Sequence, residues 1–458
     1  MRGTVKAKSH SRTKAPAVGS TNGRASGAVE LTPSDLLPRL KDQGYDPERV
    51  AQRRAWVESK TGAKLGHIGS LSFDSELLRG NIENPVGVAQ VPLGIAGPVL
   101  VHGQHARGLF YVPMDTTEGA LIRSYERGMV TLTRAGGVET ALLADENQIS
   151  PSFFFDTVAA AQGFTEWVPD HLADLQRAAA STTRHGKLAN LKCYQIGRQV
   201  IVNLGFDTGD AQGMNMIAKA ADAACRWIQE HYTIENFLLF SGLCSEKRAS
   251  GFVITRGKGK RVTAGALVPH EILKLYLHVT AEQLFRVWQS TVIGHLQAGA
   301  IGYNAHYANG LAAIFIATGQ DVANVTNAAC GITVFELHPE GLYVSVTLPA
   351  LTVATVGGGT ALPTQREALE IMGCAGSGKA KKFAEIVAAA VLGGEISMGA
   401  AIASGEFVAA HEQYGRNRPV LRTPLRSSLG RSSRNQSGES ERRPMTSSPG
   451  QQGSGPQK

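Results

Sequence analysis

The sequence predicts a fold that mixes α-helices with strands paired as hairpins, and three stretches carry that expectation. Residues 188–206 read as a hairpin, with Leu191–Ile196 and Gln199–Phe206 as strands about Gly197-Arg198. Gly310–Thr318 is apolar on nearly every side, as a fully buried helix is. Phe383, Ile386, Val387, Ala390 and Val391 recur at i, i+3, i+4, i+7 and i+8, one face of a helix.

The remaining elements follow in chain order. Thr32-Pro33-Ser34-Asp35 is a helix-start signal ahead of apolar Leu36, Leu37 and Leu40. Val86 to Met114 is rich in Gly, Pro and Val, as short strands and turns are. Ala120, Leu121, Tyr125 and Met129 have helical spacing, and another helix is expected from Gln212. A second hairpin is expected over Gly251–Val268, turning at Gly257-Lys258-Gly259-Lys260. Tyr343 to Leu348 alternates like a strand. No internal repeat is evident.

At 458 residues the chain exceeds one ordinary core, and 43% hydrophobic with 18% charged residues describes a globular protein. The net charge of +8 sits in the ends. Residues 1–29 carry six Lys/Arg and no acid, and residues 416–458 carry nine against Glu439 and Glu441, so the interior is net acidic. Both ends are poor in apolar residues and are expected to be disordered, with anion binding or regulation as the alternative. Nucleic acid is therefore not the expected partner. The N-terminus lacks the apolar stretch of a secretory signal. The most apolar helical runs, Leu311–Thr318 and Ile386–Leu392, are shorter than the roughly 18–20 residues a bilayer needs. Five scattered cysteines without a C-x-x-C pair argue against a disulfide framework or a structural metal. A soluble, cytoplasmic protein without metal is expected.

No G-x-S-x-G, H-E-x-x-H or complete G-x-G-x-x-G is present. Gly373-Cys-Ala-Gly-Ser-Gly-Lys-Ala380 nearly matches a phosphate loop. That loop needs a hydroxyl after its lysine and a strand before it. Ala380 removes the first, and Ala368–Met372 reads as helix.

Five further segments occur together in order. They are Glu83-Asn-Pro-Val-Gly87 with Val91-Pro-Leu-Gly-Ile-Ala-Gly-Pro98, Pro113-Met-Asp-Thr-Thr-Glu-Gly119, Gly209-Asp-Ala-Gln-Gly-Met-Asn-Met216, Gly302-Tyr-Asn-Ala-His306 running into Thr318-Gly-Gln-Asp321, and Thr355-Val-Gly-Gly-Gly-Thr360. Over residues 80–411 the chain resembles 3-hydroxy-3-methylglutaryl-CoA reductases of the class that includes eukaryotic and archaeal enzymes. The resemblance implies an α+β fold. A large substrate domain (83–150 and 252–415) would surround a buried helix. A smaller ferredoxin-like, non-Rossmann NADP-binding domain (151–240) would be inserted in it, with a helical region at 30–82 and a catalytic loop at 241–251. It also implies homodimers or homotetramers with active sites at subunit interfaces.

The chemistry can be stated from first principles. Reducing a thioester to an alcohol takes two hydrides, builds negative charge on the carbonyl oxygen and expels a thiolate. The resemblance places the cation at Lys247, the acid for the oxygen at Glu118, an aspartate between them at Asp321, and the thiolate-protonating histidine at His411. Read without the resemblance, each has a plainer role: a surface lysine, an acid at a helix N-terminus, a turn after a buried helix, a surface histidine.

Asp210, Gly213, Met214 and Asn215 match the family's dinucleotide motif, and Gly357-Gly358-Gly359 would supply a second close approach. Ser181 and Arg184, beside His185, fall where the 2′-phosphate is contacted, favouring NADPH. Glu83, Asn84, Ser241, Glu246, Arg248, His306 and Asn309 would touch the acyl-CoA. Departures cluster on the acyl carboxylate. Glu246-Lys247-Arg248 stands for Asp-Lys-Lys, Ile149 for an arginine, Ser290 for a lysine and Glu406 for a histidine. A different acyl-CoA, or a weak homologue that only binds, remains open on these grounds.

Overall fold

A computed structural model describes residues 32–38 and 44–411, the last three by backbone alone. The expected tails, 1–29 and 416–458, lie outside the described residues. The helix start at Thr32 yields one 3-10 turn, Pro33–Asp35. Its cap forms, with Thr32 Oγ1 donating to Asp35 at 2.6 Å, but Leu36 is already extended. Pro38 disfavours helix at Leu37, so the turn cannot lengthen into a helix. The first full helix, α1 (Pro47–Thr61), has Asp46 accepting the Arg49 N–H at its start and Gly62 left-handed at its end.

The large sheet begins with the antiparallel pair β1 (Leu93–His102) and β2 (Arg107–Asp115). Helix α2 (Leu121–Arg134) leads into β3 (Val138–Ile149), which serves two sheets. Its first part pairs with β1 and with β8 (Gly259–Pro269), and Asn147–Ile149 pairs with β6 (Gln199–Asp207).

Between them the chain runs β4 (Ser152–Phe154), α3 (Val158–Asp170), α4 (Leu172–Ala180), β5 (Lys187–Ile196), β6 (Gln199–Asp207), α5 (Met214–His231) and β7 (Phe237–Leu238). The hairpin at Gly197-Arg198 forms as expected. These strands lie in the order β7-β4-β6-β5, all antiparallel. They close their own core, in which Phe153, Phe164, Phe206 and Ile217 are fully buried.

After α6 (Gly251–Arg256) come β8 (Gly259–Pro269), the short α7 (His270–Ile272), α8 (Ala281–Ala298), α9 (Tyr307–Ala317), α10 (Val325–Ala328), β9 (Ile332–His338), β10 (Gly341–Leu351), α11 (Pro363–Ile371), α12 (Ala380–Ser404) and α13 (Glu406–His411). The hairpin expected over 251–268 is corrected, since its first arm is α6. Val253, Ile254 and Thr255 read as strand by composition, but Ser250 Oγ caps the Val253 N–H and Gly257 closes the turn at φ +80°. Strand β8 pairs instead with β3 and β10.

Helix α9 is buried as its composition predicts. Helix α12 differs from the one-faced helix expected. It runs for 25 residues and is buried all round from Phe383 to Ser397. It is the one helix among the described residues long and apolar enough to cross a membrane, and most of it is buried inside the protein. Two acids sit within it. Glu385 accepts the N–H groups of Gln104, His105 and Ala106. Glu395 accepts those of Ala305 and His306 and the Thr333 hydroxyl. Burial raises the Glu395 pKa, partly offset by these bonds.

Candidate active site

A cleft of about 890 Å³ opens where α5, the 241–250 loop, the end of α9 and the loop after β10 converge. That volume lies in the range of small-molecule sites.

Three of its features come from the predicted motifs. Gly213 stands at φ +78° as the N-cap of α5, and a Cβ there would meet Thr208 Cγ2 at 2.8 Å. With no side chain capping it, the start of α5 presents its backbone N–H groups and positive dipole end to the cleft beside Met214 and Asn215. The triple glycine Gly357-Gly358-Gly359 forms a second wall. Gly359 packs so closely on Gly319 that a Cβ on Gly319 would lie 2.3 Å from the Gly359 carbonyl. Gln320 locks the same junction through bonds to Thr318 and Ala354.

The third feature is charged. Lys247 Nζ lies 2.6 Å from Asp321 Oδ2, both side chains being partly exposed. Asp321 Oδ1 accepts the Ala323 N–H and so opens the turn after α9. Glu246 also lines the cleft, paired at 2.8 Å with the wholly buried Lys258, whose ammonium also donates to the Gln148 carbonyl. A buried ammonium needs such partners.

Other expected residues stand elsewhere. Glu118 is not among the residues lining this cleft, and its carboxylate accepts from Asn309 Nδ2 at 3.0 Å. Glu83 and Asn84 lie in the exposed loop after Gly80 and Asn81, which do line it. Ser241 Oγ donates to the Ser150 carbonyl at 2.7 Å. The Arg248 side chain is exposed, and its carbonyl is held by Asn327. His306 is buried against the Tyr125 ring. Ser181, Arg184 and His185 occupy the α4–β5 connection and are not among the residues lining the cleft, although Gly186 beside them packs on its Met216. His411 ends α13, and its side chain lies outside what is described.

Asp210, expected at the dinucleotide, has a structural partner as well. Its carboxylate accepts the N–H groups of Gly378 at 2.6 Å and Ala380 at 3.0 Å, capping α12. Burial alone would raise its pKa; these bonds, with Lys260 nearby, outweigh burial and lower it. The phosphate-loop look-alike at 373–380 thus spends these two N–H groups on an aspartate. It follows a helix, as its composition implied.

The departures change meaning too. Ile149 is wholly buried in the second core and Ser290 is exposed on α8, so neither lines the cleft. Glu406 pairs with Arg127 at 3.0 Å. Sequence reasoning missed Asn327 and Lys258, whose partners lie far along the chain and leave no local signature.

A cleft with a lysine–aspartate pair beside a triple glycine and a helix N-terminus has the chemistry of an enzyme site suited to a phosphorylated nucleotide and a developing oxyanion. A family model described as hydroxymethylglutaryl-coenzyme A reductase matches residues 49–416, and the chain belongs to that family. A relative named 3-hydroxy-3-methylglutaryl-coenzyme A reductase from Pyrococcus abyssi is 46% identical over 374 residues, covering 80% of this chain and 92% of that protein. One from Aeropyrum pernix is 43% identical over 414 residues, covering 86% and 98%. The reductase of Streptococcus pneumoniae shares the fold, with a TM-score of 0.58 at 21% identity over 77% of this chain and 96% of that one. Another structure of that class II enzyme is bound to NADPH in open conformations, with a TM-score of 0.58 at 21% identity over 79% of this chain and 98% of that one.

Proposed function

We infer that the chain reduces 3-hydroxy-3-methylglutaryl-CoA to mevalonate and CoA, using two NADPH. The observation that carries this is the Lys247–Asp321 pair, set in the same cleft as the open start of α5 and the triple glycine. NADPH supplies the hydride in both steps. Gly213 and the first turn of α5 suit its pyrophosphate, and Gly357–Gly359 suits a close backbone approach.

Lys247 places a compact positive charge where the carbonyl oxygen turns negative. Asp321 holds that ammonium in place. Glu118 is the proton donor to the oxygen, with Asn309 orienting its carboxyl. His411 protonates the departing thiolate, since imidazolium (pKa ~6.5) is a stronger acid than a thiol (pKa ~8.5). The different-acyl reading leaned on Ile149 and Ser290, and it is not favoured because the matching family model and the relatives similar over most of the chain are named for 3-hydroxy-3-methylglutaryl-CoA.

Residues 151–240 serve as the NADP-binding insertion. Their separate core and their strand order, with helices between, support the ferredoxin-like reading. A homodimer or homotetramer is supported by exposed Ile293 and Leu296 on α8, and by Glu118 lying outside the cleft lining of a single chain.

The test is NADPH oxidation by the purified chain with 3-hydroxy-3-methylglutaryl-CoA, alongside Lys247→Ala. About two NADPH consumed per CoA released, lost in the variant, is the expected result. NADPH binding without turnover on this substrate would overturn the substrate assignment. No NADPH binding would overturn the reductase reading.

A further inference from the structure

One buried amide holds the lysine loop. Asn327, on α10 and fully buried, accepts the Lys247 N–H at Oδ1 over 2.8 Å. Its Nδ2 donates to the carbonyls of Ser245 and Arg248, each at 2.8 Å. Within that grip Ser245 and Lys247 are both left-handed, at φ +49° and +56°. Residues with a Cβ rarely stay in that region unless the surroundings hold them.

The same short segment that carries Asn327 begins with Asp321, whose Oδ2 meets the Lys247 ammonium. The lysine is therefore fixed twice from one piece of chain, by its backbone and by its head. We propose that Asn327 is a positioning residue for the reaction, setting the Lys247 backbone so that the ammonium already stands in the cleft when substrate arrives. This rests on the reading of Lys247 as the oxyanion's cation. The group at 327 has to offer one acceptor and two donors, to match one N–H and two carbonyls. An ionised carboxylate offers only acceptors and would face two carbonyl oxygens. Alanine offers nothing, so the loop relaxes toward negative φ and carries the ammonium away.

The experiment compares wild type, Asn327→Ala, Asn327→Asp and Lys247→Ala in full-length protein. It measures kcat, KM, NADPH affinity by fluorescence titration, and thermal melting. Asn327→Ala is expected to lower kcat about 10²-fold, the scale of a misplacement of roughly 1 Å, while NADPH affinity stays within about twofold. Asn327→Asp is expected to be poor at neutral pH and to recover relative to wild type as pH falls, because a protonated carboxyl regains one donor. That pH signature also carries the test if the alanine variant does not fold. A kcat within about twofold of wild type in either variant, with Lys247→Ala dead, overturns the clamp. So does a loss of kcat and NADPH affinity in step with the folded fraction. An active Lys247→Ala overturns the reading of Lys247 itself, and the clamp's purpose with it.

Discussion

Lys247 and Asp321 meet at 2.6 Å with both side chains still touching solvent. Exposed pairs contribute little to stability, typically under about 1 kcal/mol. This one therefore matters for where it puts a charge. Asp321→Asn is expected to lower kcat by roughly 10²-fold while unfolding free energy changes by less than about 1 kcal/mol. Steady-state kinetics beside urea denaturation would check both. An equal loss in the two would mean that the pair is structural.

Gly213 makes the start of α5 open to an anion. Gly213→Ala adds a Cβ to a left-handed residue and drives it against Thr208. The cost is roughly 1–2 kcal/mol of stability, with a severalfold rise in the KM for NADPH and a smaller effect on the acyl-CoA KM. A KM for NADPH equal to that of wild type would contradict the role of this helix end.

Lys258 is wholly buried beneath Glu246. Lys258→Ala leaves that carboxylate without its charge partner, and a loss of about 3 kcal/mol in urea denaturation is expected. A loss below about 1 kcal/mol would show that water or another cation replaces it.

Two carboxyls, Asp210 half-buried and Glu395 buried, should respond to pH in opposite senses. The Asp210 pKa is lowered in the folded protein, so its stabilisation is present above its unfolded value near 3.8 and fades as pH falls through the folded value. The Glu395 pKa is raised, so its contribution is full below 4.5 and erodes as pH rises through the folded value. Melting curves across the carboxylate range should show Asp210→Asn losing to wild type at higher pH and converging below. Glu395→Gln should gain on wild type as pH rises. Parallel trends would refute the assignment.

Local order was the readable part of this protein. The Gly197-Arg198 hairpin, α2, α9 and β10 were legible because each announces itself within a dozen residues, by alternation, helical spacing or an unbroken apolar run. α6 was not, since a serine cap outweighed three strand-favouring side chains. The glycine walls and the lysine–aspartate pair were reachable through motif resemblance. Glu395, Lys258 and Asn327 were not, because each satisfies backbone groups or charges brought close only by the finished fold. Alone in sequence they are an acid in an apolar helix, a lysine in a turn and an amide among small residues.

Strands β3 and β8 lie side by side and antiparallel, from Glu139 opposite Gly265 to Glu146 opposite Gly259. The chain departs for the second core along one and comes back along the other. Everything between is, in topological terms, an overgrown hairpin loop whose two stems stand about 4.8 Å apart. Because that loop carries both Gly213 and Lys247, the helix end and the ammonium of the cleft share one closure, anchored where two strands are neighbours.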